Sequence, residues 1–125
     1  MKVLLLNGSP HEHGCTDAAL QEVASALREE GIDTEIFWIR NEPVGGCIGC
    51  GGCAKAGKCV FGGTVNEFAE KAMEADGFVF GTPVHYAAAS GNVTAFLDRL
   101  FYSAPKAAFC RKPAAVVTSA RRAGT

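Results

Sequence analysis

The chain has 125 residues, 48% of them hydrophobic and 20% charged, a balance that fits one soluble globular domain over residues 1–125. A net charge of −1 excludes a strong electrostatic case for nucleic acid or an anionic membrane as partner. No stretch approaches membrane-spanning length, and Val3–Leu6 is too short for a signal-peptide core, so the expected location is cytoplasmic.

Lys2 to Leu6 reads as a continuous apolar run that ends in Asn-Gly-Ser-Pro, the pattern of a strand buried on both faces of a parallel sheet. Thr16 to Glu30 reads as a helix, with Leu20, Val23, Ala24 and Leu27 on one face and Gly31 as its C-terminal stop. Thr34 to Ile39 is β-branched and aromatic and reads as a second strand. A loop from Asn41 to Gly63, dense in glycine and cysteine, follows. Thr64-Val-Asn-Glu67 has the form of a capping box opening a helix with Val65, Phe68, Ala69, Ala72 and Met73 as its apolar stripe. Gly77 to Gly81 is the third expected strand and Thr82 to Ser90 a loop. Val93, Phe96, Leu97, Leu100 and Phe101 mark a third helix, Cys110 a small core residue, and Ala114 to Thr118 a fourth strand.

Strands alternating with helices imply a parallel sheet covered on both faces, three layers in all. Ligands of such sheets bind beyond the carboxyl ends of the strands. After the first strand, Asn7 to Thr16 supplies glycines for close backbone approach, the Ser9 and Thr16 hydroxyls and a helix N-terminus, a combination suited to a phosphate monoester. It lacks the Gly-Lys-Ser/Thr of nucleotide hydrolases and the dinucleotide Gly-x-Gly-x-x-Gly. The alternative is a plain turn with a cap at Thr16. His11 and His13 beside it are solvent-exposed or phosphate-contacting, and Cys15 is an activated thiol or a small residue that fits the turn. After the third strand, Gly81 to Tyr86 offers apolar and aromatic groups for a flat ring. After the fourth, Thr118 to Gly124 offers hydroxyls, amides and two guanidinium groups. From Lys106 onward Lys106, Arg111, Lys112, Arg121 and Arg122 face no acidic residue, which suits a small anionic ligand or plain solvation.

In the cytoplasm six cysteines argue for metal or redox chemistry rather than disulfides. Cys47-x-x-Cys50-x-x-Cys53-x5-Cys59 leaves three readings open: an iron–sulfur cluster wrapped by a glycine-rich turn, a four-cysteine zinc site, or redox-active or free thiols.

Together, Asn-Gly-Ser-Pro with Gly14-Cys15-Thr16, Gly-Thr-Pro-Val-His-Tyr with Ser90-Gly91-Asn92, and Thr-Ser-Ala-Arg-Arg-Ala-Gly resemble the NADPH-dependent FMN reductase family of the flavodoxin-like superfamily. The resemblance implies a flavodoxin-like doubly wound sheet with FMN at its carboxyl edge. By position, Ser9, His11, Cys15 and Thr16 would lie on the phosphate, although this chain carries Cys15-Thr16 where relatives often have Asn-Thr. Pro83, Val84, His85 and Tyr86 would lie along the isoalloxazine ring, and Ser119, Ala120, Arg121 and Gly124 would close its far side. The cysteine spacing resembles that of iron–sulfur flavoproteins, which pair FMN with a 4Fe-4S cluster; Cys47, Cys50, Cys53 and Cys59 would be its ligands. The family has a fifth strand and a final helix, so the chain is expected to stop before them, leaving an exposed sheet edge.

The leading expectation is an FMN-dependent oxidoreductase carrying electrons from NADPH or NADH to an acceptor, with no obligatory acid or base side chain. Arg121 or Arg122 would meet the nicotinamide dinucleotide phosphate. Two alternatives are an electron carrier served by ferredoxin-like protein partners and a non-catalytic binding fragment. The resemblance further implies a homodimer or homotetramer.

Overall fold

The computed structural model describes residues 1–122. Its elements run β1 (Lys2–Asn7), α1 (Cys15–Glu29), β2 (Asp33–Trp38), α2 (Cys53–Ala56), α3 (Thr64–Glu74), β3 (Gly77–His85), β4 (Ala88–Ala89), α4 (Gly91–Ser103), a 3-10 turn (Lys106–Ala108) and β5 (Ala114–Ser119).

The apolar run of β1 is buried from both sides. Leu4 and Leu6 enter one core with Phe37, Phe68, Phe78 and Phe96, and Leu5 enters a second with Leu20, Ala24 and Val79. Alternate side chains of a strand point to opposite faces, so two cores need helices on both sides of the sheet. α1 covers one face through Leu20 and Ala24; α3 and α4 cover the other through Phe68 and Phe96. Phe68 is the hub of the larger core, with edge-to-face contacts to Phe37 at 5.4 Å and Phe96 at 5.6 Å between ring centres.

β1 pairs in parallel with β2 and β3, and β3 pairs in parallel with β5. The parallel order is therefore β2-β1-β3-β5, the flavodoxin-like order through four parallel strands. β4 folds back antiparallel on the end of β3, Val84 opposite Ala89 and His85 opposite Ala88.

Local expectations met four corrections. The stretch read as a loop from Asn41 to Gly63 contains one helical turn, α2, at Cys53–Ala56. The run read as a loop from Thr82 is strand as far as His85, continued by the β4 hairpin. The capping box does not form: Gly63 is the N-cap of α3 without a side-chain bond, and the Glu67 carboxylate instead accepts from Arg40 at 2.8 Å. Cys110 is exposed rather than in the core. The stop of α1 behaves as read, with Gly31 at φ +75° and the Ile32 amide donating to Leu27 at 3.0 Å.

At the sheet end remote from the carboxyl edge, Glu35 accepts from Lys2 and Lys71, each at 2.6 Å. The Lys2 hydrogen bond, then that of Lys71, holds the Glu35 carboxyl below its ordinary range, and the same bond to Glu35 raises the Lys2 ammonium. Among the described residues no helix is long and apolar enough to cross a membrane.

Candidate functional site

Parallel strands bring the ends of β1, β3 and β5 to one edge, and short bonds then tie their loops together. The Gly8 amide donates to the Gly81 carbonyl at 2.9 Å. A Cβ on Gly8 would stand 2.1 Å from Val93 Cγ2 and 2.7 Å from the Gly81 oxygen, so only glycine lets the loop lie this close to α4 and β3. Ser90 Oγ caps α4 by accepting from the Val93 amide at 3.3 Å and donates to the Gly8 carbonyl at 3.5 Å. Thr16 and Ser119 hydroxyls meet at 2.7 Å, linking the start of α1 to the end of β5.

The β1 loop is held from inside. Asn7, almost fully buried, donates from Nδ2 to the Glu12 carbonyl at 2.9 Å and accepts on Oδ1 from the Ser9 amide at 3.1 Å. Ser9 Oγ accepts from the His11 amide at 3.1 Å, and Trp38 Nε1 donates to the Ser9 carbonyl at 2.9 Å. The N-cap of α1 is Gly14, with no side-chain cap. The first-turn amides of a 15-residue helix thus carry no capping side chain, and the helix dipole favours an anion there. That donor set fits a phosphate group.

The residues read from sequence separate into classes. Ser9 and Thr16 are buried, their hydroxyls engaged with His11 and Ser119. His11 and Cys15 are exposed at the loop surface. Pro83 and Val84 are half-buried in β3, whereas His85 and Tyr86 are exposed at the hairpin, Tyr86 fully so. Tyr86 and Ala87 both adopt positive φ, +50° and +60°. Ser119 is half-buried, and Ala120 and Arg121 are exposed. Gly124 lies outside the described residues.

Cys47, Cys50, Cys53 and Cys59 line one cavity with Ile48, Phe61, Arg99 and Tyr102. Cys47 and Cys50 are exposed, Cys53 is half-buried and Cys59 is buried. No disulfide joins any of the six. Among the described residues no three His, Cys, Asp or Glu side chains converge on a single metal ion, as the zinc reading requires. Four thiols lining one cavity have the donor chemistry of an iron–sulfur site.

Several residues that organise these loops escaped sequence reading. Asn92 holds the start of the cysteine loop, accepting from the Val44 amide at 3.1 Å and donating to the Glu42 carbonyl at 2.9 Å. Asn66 holds its end, accepting from the Cys59 amide at 3.1 Å and donating to the Cys59 carbonyl at 2.9 Å. Trp38 and Asn7 hold the β1 loop, and buried Arg99 reaches Cys59. Asn7 and Asn92 stand within motifs quoted from the sequence without being given these roles, and a further signal was Arg99, a charge set between Phe96 and Leu100 on an otherwise apolar helix stripe.

Among curated proteins, the chain is 37% identical over 99 residues to an iron-sulfur flavoprotein of Methanocaldococcus jannaschii, covering 79% of this chain and 51% of that one. It is 32% identical over 101 residues to the iron-sulfur flavoprotein of Methanosarcina thermophila, covering 81% and 51%. The chain thus spans about half the length of the curated relatives it matches. Among solved structures, RosB with bound 8-demethyl-8-formylriboflavin-5'-phosphate superposes with a TM-score of 0.78 at 18% identity, covering 99% of this chain and 54% of that one. An NAD(P)H:quinone oxidoreductase from Methanothermobacter marburgensis superposes at 0.73 and 18% identity, covering 96% and 65%; both likenesses bear on the fold. The model of the NADPH-dependent FMN reductase family matches residues 1–125, so the chain belongs to that family.

Proposed function

We propose that the chain is the FMN-binding part of an oxidoreductase that draws electrons from NADPH or NADH. The observation that carries this reading is the convergence of three loops on one sheet edge, through Gly8–Gly81, Ser90–Gly8 and Thr16–Ser119, beside the uncapped start of α1. The first-turn amides of α1 would hold the phosphate, with His11 and Cys15 at its open side and Ser9 and Thr16 shaping the loop from beneath. Pro83, Val84, His85 and Tyr86 would border the ring. Ser119, Ala120, Arg121 and Gly124 would close the far side. Bound FMN would supply acceptance of the two electrons of a nicotinamide hydride and their release to an acceptor. The protein's share is orientation, exclusion of water and positive charge from Arg121 and Arg122.

A second reading adds electron transfer through a cluster, because Cys47, Cys50, Cys53 and Cys59 share one cavity and the curated relatives are named iron-sulfur flavoproteins. Cluster formation would make the chain an electron carrier between FMN and a protein or small-molecule acceptor. Membership of the family carries one further proposal, a homodimer or homotetramer.

Protein purified without oxygen and supplied with FMN should show flavin absorption bands and oxidise NADPH or NADH in their presence. Absence of flavin binding after addition of FMN would overturn the reading. Iron and sulfide with flavin favour the electron carrier; flavin without iron favours the simple reductase. Elution as a monomer with flavin bound would exclude the oligomer.

A further inference from the structure

Arg99 is 8% exposed, yet among the described residues no carboxylate pairs with it. Its Nε instead donates to Cys59 Sγ at 3.3 Å, and one terminal nitrogen donates to the Gly62 carbonyl at 2.8 Å. The guanidinium carbon stands 5.9 Å from the centre of the Phe61 ring. A buried guanidinium is costly unless an anion or strong acceptors meet it. Cysteine sulfur is a weak hydrogen-bond acceptor, so these contacts leave the charge undercompensated. The sulfur it touches is also the most firmly placed of the four, buried, with its backbone gripped at both amide and carbonyl by Asn66. Of the other three, Cys53 is half-buried with its Sγ 4.0 Å from the Tyr102 carbonyl, and Cys47 and Cys50 are exposed.

We propose that Arg99 tunes the iron–sulfur centre held by these cysteines: its Nε–H hydrogen bond to the Cys59 sulfur and its buried charge raise the reduction potential of the cluster. This rests on the cluster reading given above. A cluster gains one electron on reduction, and with it one unit of negative charge. Hydrogen bonds to ligand sulfur and nearby positive charge favour that reduced state. The undercompensated charge of Arg99 is matched once Cys59 is a thiolate ligand of the cluster. α4 brings this about: the helix that caps its own start with Ser90 beside the β1 loop carries Arg99 two turns further on. The residue is a positioning and tuning group rather than a catalytic one, since it touches no reacting atom.

The test compares wild-type protein with Arg99→Gln and Arg99→Lys, each reconstituted with iron and sulfide without oxygen. Iron and sulfide are assayed per chain, and the cluster is reduced stepwise with dithionite in the presence of mediators while its absorption and electron paramagnetic resonance are followed. The expected result is a full cluster in the wild type and a midpoint potential shifted to more negative values in Arg99→Gln. Arg99→Lys, which keeps the charge but loses the planar fork, should fall between them. A full cluster with unchanged potential in both variants overturns the assignment alone and leaves the cluster standing. Wild-type protein that takes up no iron or sulfide overturns the cluster reading, and the assignment with it. Should Arg99→Gln not fold, Arg99→Lys decides: a potential displaced to more negative values supports the proposal, and a coincident or more positive one overturns it.

Discussion

The β1–α1 loop and the β2–α3 loop leave the same edge of the sheet and are built in opposite ways. In the first, Asn7 and Ser9 are buried and bond to backbone within the loop, Trp38 fastens it from β2, and Gly8 is packed against α4 with no room for a side chain. In the second, Gly45 to Cys50 are all exposed, and the structure grips the segment near its ends, through Asn92 and Asn66, with Arg99 at Cys59. The contrast separates two ways of making a site. The first loop is shaped before any ligand arrives, so little ordering remains to oppose binding. The second presents thiols on a segment with few bonds of its own, and such segments draw stability from what their thiols bind.

The sharpest way to break the comparison is Gly8→Val. A first side-chain atom at this position already meets Val93 at 2.1 Å. Overpacking of this kind costs about 3 kcal/mol. Urea unfolding should show that loss, and fluorescence titration should show FMN binding abolished; wild-type flavin affinity in this variant would mean the loop is not preformed. A smaller effect is expected from Asn66→Ala, which removes two hydrogen bonds to Cys59. The local cost is about 1–2 kcal/mol. Hydrogen exchange should quicken around Cys59 and iron retention should fall, while FMN affinity stays at the wild-type value. An equal loss of FMN binding would show that the two loops act as one unit.

The smallest effect belongs to a region remote from both loops and serves as a control. The Glu35 carboxyl titrates below its unfolded value because Lys2 and Lys71 bond to it. Its contribution to stability is therefore present above the unfolded pKa of about 4.3 and is lost as pH falls through the lower folded value. The raised Lys2 ammonium contributes fully below about 10.4 and loses that contribution as pH rises through its folded value. Glu35→Gln should flatten the acid limb of a stability–pH curve, cost up to about 1 kcal/mol at neutral pH, and leave FMN and iron binding untouched. A change in either binding would mean the site depends on the far end of the sheet.

Much of the fold was legible because it follows from local periodicity. Lys2–Leu6 reads as a strand covered on both faces, and Leu20 and Ala24 mark the buried stripe of α1, since burial imposes the repeat directly on the chain. The β3–β4 hairpin was not legible. Pro83 interrupts the strand pattern, and Tyr86 and Ala87 take positive φ without the Gly or Asn that normally announces such a turn. The capping box misled for another reason: Glu67 has two possible partners, its own helix start and Arg40 beyond β2, and a local motif does not reveal the second.

By itself the sequence determined the alternation of the four parallel strands with α1, α3 and α4, the presence of a glycine-bearing loop ahead of α1 and the spacing of four cysteines. These depend on neighbours a few residues apart. Only the tertiary structure decided that Thr16 meets Ser119, that Gly8 must be glycine because Val93 lies against it, and that the buried charge of Arg99 is directed at Cys59. Each of those facts joins residues distant in the chain. No local pattern encodes such a pairing, because it arises when the parallel strands bring their ends to one edge and α4 lies across two loops at once.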